Sequence, residues 1–393
     1  MFSDRLFPDL SLNSIALEID RLQAADVNLI NLTESNPTLV GLRYPPNLFN
    51  LLNNSDSSRY SPHPLGSKKA REAVAGDYQR RGIAIDSESV ILTVGASESY
   101  SLLFKLLCDA RDTVLIPCPG YPLLEHLCRL DAIIPSTYRL RYYGEWSIDL
   151  DEMESAVTDQ TRAILSVNPN NPTGSFIKPG EWKRLTAVCR ERSLALIVDE
   201  VFSDYPLIPN FPSDPQHEGA LIFRLGGISK AVGLPQLKLG WIVVTGPSSL
   251  REQALKRLEF ICDQYLSVNA PIQFALPDIF RIGAAVREQI QERIWINYQS
   301  LQQIVDNDPL CNILWTEGGW YAILQAPAMV EEKELTLRAL RQAHTLVHPG
   351  YFFDFQKQPL VVISLLLPTE RFVEGVNRLL SVIEEMTENL NRT

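Results

Sequence analysis

The chain has 393 residues, 45% hydrophobic and 21% charged, an ordinary balance for a protein that buries a core, and its length allows two domains. Its 36 basic and 47 acidic side chains leave a formal charge of −11 with no Lys/Arg cluster, which argues against nucleic acid or an anionic membrane as a partner. No apolar run approaches the roughly 18–20 residues that span a bilayer, and Met1-Phe2-Ser3-Asp4-Arg5 lacks the basic-then-apolar layout of a leader, so a cytoplasmic protein is expected.

In chain order, residues 10–24 read as a helix, and an alternation of short β-branched runs with helical patterns begins near residue 90. Residues 90–94, 113–116, 163–167, 195–198, 221–225 and 241–245 are apolar runs too short for helices and bounded by Gly, Pro, Asn or Asp, hence strands. Residues 97–110 and 180–192 carry helical periodicity between them. The order predicts an α/β fold, a mostly parallel sheet sandwiched by helices. The Pro-rich stretch 206–215 reads as a loop. From about residue 273 the pattern turns to long helices (284–306, 331–342, 368–389) with strands at 312–315, 320–324 and 361–366. The expected division is therefore a large domain at 46–272 and a smaller α+β domain at 273–393, joined by the N-terminal segment 1–45. The six cysteines form no C-x-x-C pair and the five histidines show no metal-ligand spacing, so no metal centre is expected.

Several fragments can carry chemistry. Lys230 follows an apolar strand in Gly227-Ile228-Ser229-Lys230-Ala231-Val232-Gly233-Leu234-Pro235. A lysine held in a partly desolvated pocket has a lowered pKa and can form a Schiff base, whereas a solvated one is inert. Asp199 ends the strand Ala195-Leu196-Ile197-Val198-Asp199-Glu200, and strand ends are where open α/β sheets place ligands. Asn171 lies in Asn168-Pro169-Asn170-Asn171-Pro172-Thr173-Gly174 after another strand; it is either part of a tight turn or a donor into the same crevice. Gly95, Ala96 and Ser97 lie between a strand and a helix, as an anion cradle or as a plain N-cap. Tyr121, in Pro119-Gly120-Tyr121-Pro122, offers an aromatic face.

In this order the fragments resemble the class I/II aminotransferases of the fold-type I enzymes, which depend on pyridoxal 5'-phosphate (PLP). The resemblance runs from about residue 60 to the C-terminal helix and rests chiefly on residues 168–174, Asp199-Glu200 and Ser229-Lys230 with Gly233-Leu234-Pro235. It implies a large domain built on a seven-stranded-type sheet and a transfer of an amino group between an amine or amino acid and an oxo acid. By the same resemblance Lys230 forms the Schiff base and moves the proton, Asp199 pairs with the ring nitrogen, Asn171 bonds the ring hydroxyl and Tyr121 stacks on the ring. Ala96 and Ser97 cradle the phosphate with Gly95 beside them, and Tyr60 reaches the phosphate of a neighbouring subunit, which implies a homodimer with shared active sites.

Four positions depart from the family pattern. Gly227 stands where a phosphate-binding serine is usual, and Lys238 where an arginine grips the phosphate; lysine keeps the charge but not the bidentate fork. Phe202 stands where a tyrosine is frequent and cannot donate to the ring hydroxyl. Val362, in Val361-Val362-Ile363-Ser364, occupies the place of the arginine that clamps a substrate carboxylate; a slipped alignment is the plain alternative, with Arg371, Arg139 and Arg141 as the nearest replacements. Val362 keeps open a PLP-dependent decarboxylase, lyase or bond-forming enzyme of the same fold. A PLP-binding regulator is disfavoured by the negative charge and by the lack of room for a basic module before Tyr60.

Overall fold

The computed structural model describes residues 2–7, 9–209, 219–355 and 358–391. Helix α1 (Ser14–Ala24) starts where the Asn13 side chain accepts from the amides of Ile15 and Ala16, and strand β1 (Ile30–Asn31) follows. Next come α2 (Lys68–Arg80), β2 (Val90–Thr93), α3 (Ala96–Leu107), β3 (Thr113–Cys118), α4 (Leu123–Leu130), and the hairpin of β4 (Ile134–Tyr142) with β5 (Trp146–Ile148). The chain continues through α5 (Leu150–Ser155), β6 (Thr161–Val167), α6 (Pro179–Glu191), β7 (Ala195–Asp199), β8 (Leu221–Gly227) and the single turn α7 (Ile228–Ala231). Then follow β9 (Gly240–Thr245), α8 (Ser248–Asp263), α9 (Ala270–Val305), β10 (Asn312–Leu314), β11 (Tyr321–Gln325) and α10 (Glu332–Ala343). The short strands β12 (Thr345–Leu346) and β13 (His348–Pro349) precede β14 (Leu360–Ser364) and α11 (Thr369–Asn391).

The large sheet has the order β2-β9-β8-β7-β6-β3-β4-β5, parallel from β8 to β4, with β9, β2 and the edge strand β5 paired antiparallel. It is the expected mostly parallel α/β sheet, seven strands with β5 added as an edge. Strands β6 to β8 are buried along almost their whole length because helices cover both faces. On one face Leu103 and Phe104 of α3, Leu124 of α4 and Leu258 of α8 pack on Val114, Leu165, Ile197 and Phe223. On the other, Trp182, Leu185 and Val188 of α6 pack on Ile164, Leu196 and Ile222. The sequence pattern alone misses β4, whose residues alternate between exposed and buried and include Pro135, Arg139 and Arg141, as suits a strand near the sheet edge.

A separate antiparallel sheet has the order β10-β11-β14-β13, and β1 pairs parallel with β12. Ile30, Leu32 and Val40 of the N-terminal segment share one apolar cluster with Trp320, Val361, Ile363 and Phe372. Helix α9 is longer than the 284–306 expected, running from Ala270 past Pro277. Proline costs about 3 kcal/mol within a helix, which the burial of Ile272, Leu276, Ile279 and Val286 outweighs at about 1.5–3 kcal/mol for each large aliphatic side chain. Of the stretch 206–215, Pro206 bridges Gly318, while residues 210–215 lie outside the described residues.

Immediately after Asp199, the buried Glu200 anchors this end of β7. Arg224 Nη1 donates to its Oε1 at 2.5 Å, and the Tyr78 hydroxyl (3.1 Å) and Arg81 (3.4 Å) donate to its Oε2. These donors hold the carboxyl below the usual glutamate range despite its burial. Removing one partner of a buried ion pair costs about 3–5 kcal/mol. Glu200→Ala is therefore expected to lower the unfolding free energy by about that amount, read from urea denaturation; a loss under about 1 kcal/mol would mean that the pairing contributes little.

Candidate active site

Strands β3, β6, β7 and β8 all end at one edge of the large sheet, and β9 begins there. Such an edge forms the crevice where open α/β sheets take ligands. A cavity of about 310 Å³ opens at it, and its walls include Gly95, Ala96, Ser97, Tyr121, Asn171, Asp199, Lys230 and Lys238. Of the nine site residues expected from the sequence, only Tyr60 is elsewhere. It is 80% exposed on the wall of a neighbouring cavity formed by the 57–64 stretch and the segment after α8, and Glu98 borders both cavities.

Lys230 sits in the turn after β8. The Tyr205 hydroxyl donates to its main-chain carbonyl, and its Nζ has a long contact of 3.5 Å with the Ser35 carbonyl. Burial lowers its pKa to about 8, opposed by the negative charges of Asp199 and Glu34. The Asp199 carboxyl is pushed up to about 6 by burial, although it accepts from the Tyr100 hydroxyl at 2.5 Å and from the Val201 amide at 3.0 Å. Asn171 Oδ1 is buried without a hydrogen-bond partner, which marks an acceptor still to be satisfied. The Asn168–Pro169 and Asn171–Pro172 peptides are cis.

Gly95, which has φ +147° and supplies no side-chain cap, precedes α3, so the Ala96 and Ser97 amides lack a side-chain acceptor and could hold an anion. A side chain on Gly240 would lie 2.8 Å from Gly95 Cα, so glycine there lets β9 close against this turn. Lys238, with φ +49°, brings its Nζ to within 4.0 Å of the point where a Gly95 Cβ would stand. At Gly227 the backbone is extended and needs no glycine, but a Cβ would press on the Leu239 carbonyl at 3.2 Å, a packing reason for the missing serine. Phe202 lines the cavity and brings no hydroxyl.

Val362 is fully buried, in register with Ile323 on one side and His348 on the other. Arg371 meets Glu374 and Asn28, Arg139 meets Glu152, and Arg141 meets Asp149 and Glu152. Among the described residues no arginine lines the cavity. Sequence reasoning missed Ser35, Tyr100, Tyr205, Trp320 and Tyr321 as neighbours of the site. Tyr100 was findable, lying one helical turn beyond Ser97 on α3. The others arrive by tertiary contact across long stretches of chain and leave no local signal.

The family model of class I and II aminotransferases matches residues 27–379, and the chain belongs to that family. It is a PLP-dependent aminotransferase. Among its relatives are the glutamate–pyruvate aminotransferase of Escherichia coli, 24% identical over 86% of each chain. The tyrosine aminotransferase of Dictyostelium discoideum is 29% identical over 85% of this chain and 83% of that one. The alanine aminotransferase of Pyrococcus furiosus has the same fold, with TM-score 0.88 at 21% identity over 98% and 100% of the two chains. The residues present fit the cofactor: an Asn171 amide on the cavity wall, a buried carboxyl, uncapped helix amides beside a lysine, and an amine of lowered pKa.

The raised pKa of Asp199 has a consequence for the cofactor-free protein. The folded state keeps this proton up to about pH 6, whereas an unfolded aspartate loses it near 3.8. The stability it contributes is therefore full below about pH 4 and is lost as pH rises through 6. Asp199→Asn should gain about 2–3 kcal/mol on wild-type apoprotein between pH 4 and pH 8. Unfolding midpoints at both pH values check this; a constant difference would place the titration elsewhere.

Proposed function

We propose that the cavity at the end of β7 and β8 exchanges an amino group between an apolar-bodied amine or amino acid and an oxo acid, with Lys230 as the Schiff-base and proton-carrying residue. The observation that carries this reading is the buried Lys230 amine with its pKa near 8, sharing a cavity with the buried Asp199 carboxyl. Bound PLP supplies an electron sink for charge developing on the donor carbon. Asp199 is the group to hold a proton on the ring nitrogen, Asn171 to meet the ring oxygen and Tyr121 to cover the ring face. The first amides of α3 and Lys238 take the phosphate. Lys230, half deprotonated near pH 8, can then remove and return a proton within a water-poor pocket.

Exposed Tyr60 and its separate cavity support a homodimer in which this residue serves the partner's site. We also propose that residues 46–272 and residues 1–45 with 273–393 form the two domains. The shared cluster of Ile30, Leu32 and Val40 with Trp320 and Phe372 supports that grouping. Six unpaired cysteines support a reducing, cytoplasmic setting. Among the described residues no helix is long and apolar enough to cross a membrane.

The relatives are named for alanine, glutamate–pyruvate and tyrosine; this cavity offers Leu123, Leu124, Val201, Phe202 and Tyr321 and no guanidinium. A substrate carboxylate therefore gains little here, and the aminotransferase names of the relatives favour transamination over decarboxylation. Holoenzyme half-reactions with matched pairs, such as tyrosine with tyramine and leucine with isopentylamine, should differ by less than about tenfold within each pair. An amino-acid preference above about a hundredfold would establish a carboxylate clamp, and Lys230→Ala should convert neither member. Lys238→Ala should weaken cofactor binding about 10- to 100-fold when apoenzyme is titrated with PLP; unchanged binding would remove Lys238 from the phosphate site.

A further inference from the structure

Behind Lys230 stands a wall of aromatic rings supplied by two distant segments. Its Nζ lies 4.6 Å from the ring centre of Trp320 and 5.5 Å from that of Phe202. Trp320 is fully buried and packs edge-to-face on Phe202 (5.4 Å) and on Tyr205 (5.2 Å), the residue that holds the Lys230 carbonyl. Its indole N–H is buried without a hydrogen-bond partner. Burying that N–H is a net cost, and a phenyl ring would avoid it while filling much of the same space. What indole offers over phenyl is a stronger negative π-face, the best aromatic partner for an ammonium group.

We infer that Trp320, seconded by Phe202, is a positioning residue that receives the Lys230 side chain when it is a free ammonium and holds it beside the cavity. The inference rests on the reading of Lys230 as the Schiff-base residue. It adds where that side chain rests when it is not bonded to the cofactor, and what stabilises its charge there.

Other charges face the same amine. Asp199 from β7 and Glu34 from the N-terminal segment favour its protonation. Glu98 and Lys238 line the cavity from α3 and from the turn before β9. The phenols of Tyr100 and Tyr321 are raised by burial and stay neutral near pH 8. Substitutions at Trp320 leave all of these groups in place, and Trp320→Phe, which keeps an aromatic ring behind the amine, disturbs its burial least.

The test is the pH dependence of Lys230 labelling in full-length apoenzyme by fluorodinitrobenzene, a neutral electrophile that the unprotonated amine attacks with loss of fluoride, with the labelled peptide identified by mass. The apparent pKa is expected to fall by about half a unit in Trp320→Phe and about one unit in Trp320→Leu. Phe202→Leu should give a smaller fall, and serves as the second variant if Trp320→Leu does not fold. A pKa that is unchanged or raised in Trp320→Phe overturns the inference. Lys230→Ala should remove the labelled peptide that titrates near 8; a Lys230→Ala holoenzyme that still exchanges amino groups would instead overturn the reading of Lys230.

Discussion

The buried lysine and aspartate at one sheet edge impose the constraint on which the rest of this molecule turns. Both lose solvation, and each is displaced toward neutrality, Lys230 to about 8 and Asp199 to about 6. An ordinary core would separate such groups or pair them tightly. Here the fold gives Asp199 two donors, Tyr100 and the Val201 amide, and leaves its remaining desolvation uncompensated. The adjacent Glu200 meets the opposite fate. It is equally buried but turned to Arg224, Arg81 and Tyr78, and it stays ionised. Two neighbouring carboxylates at one strand end thus meet opposite environments, the first short of donors and the second ion-paired.

Much of the candidate site was legible in the sequence because its parts sit at the ends of strands that announce themselves. Lys230, Asp199, Asn171 and Gly95 each follow a short buried run bounded by turn residues, and all reach the same cavity. The parallel core was legible for the same reason, since β6, β7 and β8 each carry a short, mostly apolar and β-branched run that is buried almost throughout. Strand β4 was not, because its place next to the sheet edge lets it mix Arg139 and Arg141 with Tyr138 and Leu140. Helix α9 was read short because Pro277 is a local stop signal that burial on both sides overrides. Gly227 looked like a lost serine; the Leu239 carbonyl 3.2 Å from its missing Cβ shows a packing constraint that no single sequence displays.

The other half of the site comes from elements with no such local signature. Ser35 belongs to the N-terminal segment, and Trp320 and Tyr321 to the entry of β11. What places them is long-range stitching. The Phe176 amide and Lys178 bind buried Glu317, the Leu207 amide donates to its carbonyl, and the Gly319 amide donates to Tyr205. A side chain on Gly174 would collide with Thr316 and with the Gly318 carbonyl at 2.5 Å, so the loop carrying Asn171 and the loop leading into Trp320 are fitted against each other.

The departures from the family pattern fall on both sides of the cavity: Gly227, Lys238 and Phe202 line it at the sheet edge, and Val362 lies in the second sheet. Between Ile323 and His348 in register it fills a buried slot without a charge to compensate, whereas a guanidinium there would need a path to solvent or to an anionic partner.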